Sequence, residues 1–234
     1  FCPTILVKYQ ERWASHTSFR IGGPSQAMAF PKDEGELSAL LALAAKEGWP
    51  VRILGAGTNV LAPDEGLDGL TICLKDCLDG MKRVNDREIE VMAGVTMTRA
   101  AVFAAKNGLS GMEFAHGIPG TVGGGVYMNA GAYGGEIRQV CSQVTVLTRN
   151  GEKKILSNGE MGFSYRHSAL EDTGDIVLSA RFTLTPDTEN AIRERMKELM
   201  GPAQSGWRFE HCRELAAHFA WIWGKDAGGE EEEI

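Results

Sequence analysis

A chain of 234 residues has room for one or two domains, and its 31 acidic against 24 basic side chains leave a net charge of -7. With no cluster of Lys and Arg to offset that balance, the chain is a poor candidate for gripping a nucleic-acid backbone. Hydrophobic residues at 43% suit a globular core, yet the longest apolar run, Ala39 to Ala45, falls far short of the ~20 residues of a membrane span; no basic-then-apolar leader is visible, so a cytoplasmic setting is expected.

The spacing predicts a helix over 33–47. Asp33 is a good N-cap, Glu36 stands three residues on as a capping box requires, and Gly48 follows the end. Leu37, Leu40, Leu41 and Ala44 share one face. Val51–Leu54 reads as a short buried strand, followed by a glycine turn and a second strand, Leu70–Leu74; such a β/α unit places a loop where α/β proteins commonly bind ligands. A strand over Glu88–Ala93 leads into a helix from Thr96 to Lys106, stopped by Asn107-Gly108. Beyond a long glycine-rich passage, Gln143–Thr148 and Lys153–Leu156 flank Arg149-Asn150-Gly151 as a hairpin, in which Asn-Gly would supply positive φ angles. Asp175–Thr185 reads as a final strand. Asp187 to Met200 reads as an amphipathic helix with Ile192, Met196 and Leu199 inward. Residues 201–234 show no clean period and end in glycines and glutamates, so they are expected to be poorly ordered or foreign to the domain.

Three stretches carry residues suited to chemistry. The first is Gly55-Ala56-Gly57-Thr58-Asn59-Val60-Leu61, directly after a strand. Its glycines let the backbone turn tightly and present N–H groups to an anion, and Thr58 and Asn59 add side-chain donors. It is neither a Rossmann fingerprint nor a P-loop, and a tight structural turn fits it as well as a phosphate cradle does. The second runs from Gly117 to Gly135, with eight glycines in nineteen residues. It includes Gly117, Ile118, Pro119, Gly120, Thr121, Gly123, Gly124, Asn129, Gly131 and Ala132. Ordering so much glycine is costly unless a bare backbone is needed, as in close approach to a pyrophosphate. A flexible linker is the alternative, but linkers lack the interspersed Ile, Val, Tyr and Met. The third is Gly162-Phe163-Ser164-Tyr165-Arg166-His167-Ser168, where Arg166 can hold a carboxylate or a developing enolate. Taken by itself the heptapeptide fits better a surface arginine beside a core tyrosine. His16 and His116 lack a partner pattern for nucleophilic catalysis, and structural or surface roles suit them better. The five scattered cysteines point to a reducing compartment, and the one close pair, Cys73 and Cys77, lacks the further ligands of a metal site.

His16-Thr17-Ser18-Phe19-Arg20-Ile21-Gly22-Gly23, the Gly55–Leu61 turn, Gly117–Gly134 and Tyr165-Arg166-His167-Ser168 stand in an order and spacing that resemble the UDP-N-acetylenolpyruvoylglucosamine reductases, over roughly residues 8–200. The resemblance implies an α+β fold, the FAD-binding domain of the vanillyl-alcohol-oxidase (PCMH) type. Two α/β subdomains, residues 1–82 and 83–186, would clasp a non-covalent FAD, and residues 187–234 would be a helix and an aberrant tail in place of the substrate domain. The first two glycine stretches would cradle FAD, with Thr58, Asn59, Thr121 and Asn129 near its polar parts. NADPH would be the hydride donor and UDP-N-acetylglucosamine enolpyruvate the substrate, reduced to UDP-N-acetylmuramate for peptidoglycan synthesis. Arg166 matches the family arginine that stabilises the enolate-like state, and Tyr165 would face the substrate. The family's proton-donating serine and assisting glutamate come from a third domain, and neither Ser205 nor the terminal glutamates lie in its local pattern. The abrupt change after Met200 suggests a shifted reading frame or truncation there, with activity weak at best, and the start at Phe1 suggests a fragment or an incomplete reading. A catalytically inactive FAD-binding remnant is the competing expectation. A related FAD oxidase acting on another substrate is a third, which the Tyr165–Ser168 motif disfavours. No metal, nucleic acid or membrane partner is expected, and no protein partner is readable from the sequence.

Overall fold

The computed structural model describes residues 5–201, so the tail singled out above lies, from residue 202 on, outside the described residues. The chain opens with an antiparallel pair that the local pattern does not announce, β1 (Leu6–Arg12) and β2 (Pro24–Phe30), joined by a loop that carries the His16–Gly23 motif. Strand β2 buries Ala27, Met28 and Ala29 on both of its faces, so no polar–apolar alternation marks it. Helix α1 (Glu34–Glu47) begins where expected: Asp33 accepts from the Glu36 N–H at 2.8 Å, and Gly48, at φ 66°, ends it. Its four predicted apolar residues are all buried, each leucine contributing about 1.5–3 kcal/mol. Strands β3 (Val51–Leu54) and β4 (Leu67–Cys73) complete a sheet ordered β1-β2-β4-β3, with β4 parallel to both β2 and β3. Strand β4 starts three residues before the expected Leu70. Gly69 (φ 86°) makes this passage feasible, because a Cβ there would lie 2.3 Å from the Pro50 carbonyl.

The second half follows in order: β5 (Met81–Arg83), β6 (Glu88–Met92), α2 (Met97–Lys106), β7 (Leu109–Ser110), a 3-10 turn over Glu113–Gly117, α3 (Val122–Tyr127), β8 (Gly131–Ala132), β9 (Gly135–Glu136) and α4 (Ile137–Val140). After these come β10 (Cys141–Leu147), β11 (Lys153–Ser157), α5 (Leu170–Thr173), β12 (Ile176–Thr183), β13 (Thr185–Pro186) and α6 (Glu189–Leu199). Five strands form an antiparallel sheet ordered β11-β10-β12-β6-β5. Thr96 caps α2, accepting from the Arg99 N–H at 3.2 Å. The β10–β11 hairpin differs in detail from expectation. Thr148 and Glu152 close a three-residue loop, and Gly151 (φ 82°) alone in it has a positive φ, as in a loop that ends in a left-handed residue. The predicted final strand is divided: Leu184 turns inward, and Thr185–Pro186 pairs separately with Leu109–Ser110. On α6, Ile192 and Met196 are buried, whereas Leu199 is only half-buried.

Residues 5–199 close on one compact unit, and one apolar cluster runs from Ala27 and α1 through α2 to Phe182 and Ile192. The β10–β11 hairpin also straps the first sheet. Lys153 pairs with Glu34 at 2.9 Å, and Arg149 donates to the Val51 carbonyl at 3.3 Å. The architecture is α+β, and among the described residues no helix is long and apolar enough to cross a membrane.

Candidate functional site

The first glycine turn leaves β3 against a wall built by the N-terminal loop. Gly57 has φ 64°, and a Cβ on it would sit 2.0 Å from the His16 carbonyl, so only glycine fits. The Ser18 N–H donates to the Gly57 carbonyl at 2.9 Å. Gly22 and Gly23 are equally constrained: a Cβ would meet Trp13 Cβ at 2.7 Å and the Asp64 carbonyl at 2.1 Å, respectively. The motif at 16–23 thus shapes the back of the turn. Among the described residues, the N–H groups of Ala56, Gly57, Thr58, Asn59 and Val60 find no acceptor in the chain, and Asn59 Oδ1 is buried without a partner. Half-buried donors in such a row are suited to an anion's oxygens.

The second glycine stretch closes on the first. A Cβ on Gly55 would lie 2.7 Å from Thr121 Oγ1. The Thr58 hydroxyl donates to the Pro119 carbonyl at 3.2 Å, across 61 residues of sequence, and Asn59 Nδ2 reaches Met128 Sδ at 3.2 Å. Gly120 (φ 132°) sits opposite Thr58. The middle of this stretch is the short helix α3 rather than a bare loop, with Thr121 as its N-cap. Gly123 packs on Ala93 and Gly125 on Met97, both too close for a side chain. The N–H groups of Val122 and Gly123 donate to Val95 and Ala93, and that of Gly124 to Thr121 Oγ1. Among the described residues, those of Gly120 and Thr121 have no such acceptor. Gly131 and Ala132 form β8 of a small hairpin with β9, where a Cβ on Gly131 would crowd the Gly135 carbonyl at 2.8 Å. Ile118 donates its N–H back to Ala115, and Gly117 lies under the Tyr133 ring. His116, which the sequence offered only as a structural histidine, buries Nδ1 with no partner beside this stretch. Burial, helped by the charge of Arg193, lowers its pKa. A sequence scan finds no such residue, because its signal is an unmet hydrogen bond.

The third stretch folds as a tight turn over Ser164–His167. The Ser164 and His167 backbones bond to each other at 3.1 and 3.4 Å, and Arg166 takes φ 54°. His167 Nδ1 meets Glu171 at 3.1 Å, and the Ser168 hydroxyl donates to the Tyr127 carbonyl. Asn129 Nδ2 donates to the Ser164 carbonyl at 2.8 Å, which ties the turn to the second glycine stretch. Tyr165 is 79% exposed, so the reading of a core tyrosine is wrong. The Arg166 guanidinium carbon lies 5.7 Å from the Tyr165 ring centroid, a contact worth about 0.5–1 kcal/mol at an exposed site. Among the described residues Arg166 makes no ion pair, which leaves its planar donor fork available to a carboxylate. The cysteines offer no comparable chemistry: Cys73, Cys77 and Cys141 are buried, and burial pushes the latter two up to about 11 and about 12.

The unpaired N–H row, the orphaned Asn59 and His116 atoms and the glycine-lined gap together fit a dinucleotide's diphosphate and polar ring edge. Residues 25–157 match a family model described as an FAD binding domain. UDP-N-acetylenolpyruvoylglucosamine reductase of Lactobacillus helveticus (strain DPC 4571) is 46% identical over 195 residues, 83% of this chain and 65% of that protein. The protein of the same name from Pediococcus pentosaceus (strain ATCC 25745 / CCUG 21536 / LMG 10740 / 183-1w) is 41% identical over 197 residues, 84% of this chain and again 65% of the relative. The chain therefore spans just under two thirds of the length of these curated relatives. Among solved structures, UDP-N-acetylenolpyruvylglucosamine reductase from Thermus caldophilus aligns with a TM-score of 0.71 at 30% identity, covering 86% of this chain and 70% of that one. 6-Hydroxy-D-nicotine oxidase from Arthrobacter nicotinovorans, at 17% identity and a TM-score of 0.59, covers 78% of this chain and 42% of its own, and shares the fold alone.

Proposed function

Since the chain belongs to the UDP-N-acetylenolpyruvoylglucosamine reductase family, we propose that it serves the reduction of UDP-N-acetylglucosamine enolpyruvate to UDP-N-acetylmuramate with NADPH, in cytoplasmic peptidoglycan precursor synthesis. Bound FAD supplies the two-electron carrier between NADPH and the enolpyruvyl double bond. Residues 1–82 and 83–186 act as the two subdomains that hold it. The N–H row of Ala56–Val60 takes the diphosphate, together with Gly120 and Thr121, while Asn59 Oδ1 and His116 Nδ1 meet polar groups of the ligand.

Arg166 receives the substrate carboxylate. As hydride reaches the enolpyruvyl carbon, further negative charge grows toward that carboxylate, and a fixed guanidinium stabilises this charge-enriched state more than the ground-state carboxylate. Tyr165 supplies a ring face beside the same cation. The proton that completes the reduction comes from solvent or from a group outside the described residues.

The observation that carries this reading is the closure of two glycine stretches, Thr58 on Pro119 and Asn59 on Met128, beside a turn that holds an arginine without an ion-pair partner among the described residues. The test is an absorbance spectrum of the purified, desalted full chain, followed by FAD titration and NADPH oxidation with and without the enolpyruvyl nucleotide. A flavin spectrum and stimulated oxidation are expected. A colourless protein that refuses excess FAD overturns the reading; FAD uptake without stimulation leaves an inactive flavin-binding protein. Oxygen consumption with a small alcohol, and none with the nucleotide sugar, would mark a related oxidase.

A further inference from the structure

Asn129 stands in the second glycine stretch, yet its side chain is committed within the protein. It is 2% exposed and adopts φ 44°, a left-handed conformation that Asn tolerates better than most residues. Its Nδ2 donates at 2.8 Å to the Ser164 carbonyl and at 2.8 Å to Glu136 Oε2, and its Oδ1 accepts from the Arg138 N–H at 2.9 Å. A primary amide can make this set of bonds, whereas a carboxylate lacks both donors. The Glu136 carboxylate, itself paired with Arg138 Nε, fixes which end of the amide faces Ser164, because a flipped amide would set oxygen against oxygen.

Ser164 opens the turn whose third residue is Arg166, and its carbonyl also accepts from the His167 N–H at 3.4 Å. The downstream end is held by Ser168 on Tyr127 and by the Ala169 N–H on Met161. Asn129 ties the upstream end to the stretch that lines the cradle. Arg166 is in a conformation unfavourable for a residue with a Cβ, and such conformations persist when the surroundings over-determine them. We infer that Asn129 is the positioning residue for Arg166. It registers the guanidinium turn against the cofactor-binding stretch, rather than acting on the ligand itself. Its consequence for turnover rests on the substrate role proposed for Arg166; its consequence for the turn does not.

Amide hydrogen exchange on the full chain tests this directly. Asn129→Gly keeps the left-handed backbone and removes all three bonds. Exchange at the Ser164 and His167 amides, which bond within the turn, is expected to rise about tenfold or more, with α1 and β10–β12 unchanged, and FAD affinity to stay within about threefold of wild type. Unchanged exchange at the turn overturns the inference, as does a large loss of FAD affinity without faster exchange. Should the glycine variant fail to fold, Asn129→Asp, which keeps the shape and loses the donors, carries the same measurement. In the turnover assay, Asn129→Gly should lower kcat more than it raises KM, and should add little further loss to Arg166→Ala. An equal fold-loss in both backgrounds marks a merely structural asparagine. A wild-type chain that binds no FAD or shows no turnover defeats the proposed function, while the exchange result still decides the role of Asn129.

Discussion

Gly55 and Thr121 approach so closely that a single methyl group on the glycine would lie 2.7 Å from the threonine hydroxyl oxygen. Thr121 is also the N-cap of α3, so it cannot swing away without losing that helix end. The gap between the two glycine stretches is therefore set by a residue that has no freedom to yield. Gly55→Ala should widen the gap and weaken FAD binding at least about tenfold, a loss of about 1.4 kcal/mol. Flavin fluorescence titration measures it, and wild-type affinity in the variant would show that the gap is not the binding site.

Replacing Arg166 separates binding from chemistry. Arg166→Ala should keep its flavin spectrum while NADPH oxidation stimulated by the enolpyruvyl nucleotide falls about 10²–10³-fold, the usual loss for a transition-state donor. Arg166→Lys should recover little of it, because an ammonium cannot offer two parallel bonds to a carboxylate. Equal turnover in wild type and Arg166→Ala would remove the assigned role.

The thiols give a test that needs no cofactor. With burial holding Cys77 at about 11 and Cys141 at about 12, both stay protonated and shielded at pH 8. Cys73 is raised by burial as well. Peptide mapping after iodoacetamide at pH 8 should find these three unlabelled in the native chain and labelled in denaturant. Labelling of Cys77 or Cys141 in the native protein would contradict their burial.

Acid should loosen the seat of α6. Burial by itself raises the Glu113 carboxyl, but N–H groups of its own residue and Gly111, the Ser110 hydroxyl and Arg195 together leave it below its ordinary value. A lowered carboxyl stabilises the fold above its unfolded pKa, near 4.3, and loses that contribution as pH falls through the lower folded value. Thermal unfolding from pH 6 to pH 3 should show a falling Tm, and Glu113→Gln should fall less steeply. Parallel curves would rule Glu113 out as a source of the acid sensitivity.

What the sequence reveals is mostly what is local. Asp33 and Gly48 bracket α1, Thr96 and Asn107-Gly108 bracket α2, and those ends can be read directly. Strand β2 escapes notice because it is buried on both faces and is recognised only by its neighbours, antiparallel β1 and parallel β4. Helix α3 escapes because glycine is a poor helix former, and packing on Ala93 and Met97 overrides that propensity. Motif order brings the glycine stretches and the arginine turn to attention, but not the bonds between them. The three partners of Asn129, at Ser164, Glu136 and Arg138, are met only in the folded chain.

The region matched as an FAD binding domain starts at Ser25, but the wall behind Gly57 is made by residues that precede it. A shortened protein beginning at Pro24 would keep every glycine of the cradle and lack the His16 carbonyl and Ser18 amide against which the first turn rests. The strand β1 and the loop that precede the matched region are thus a buttress, and a minimal flavin-holding fragment has to include them.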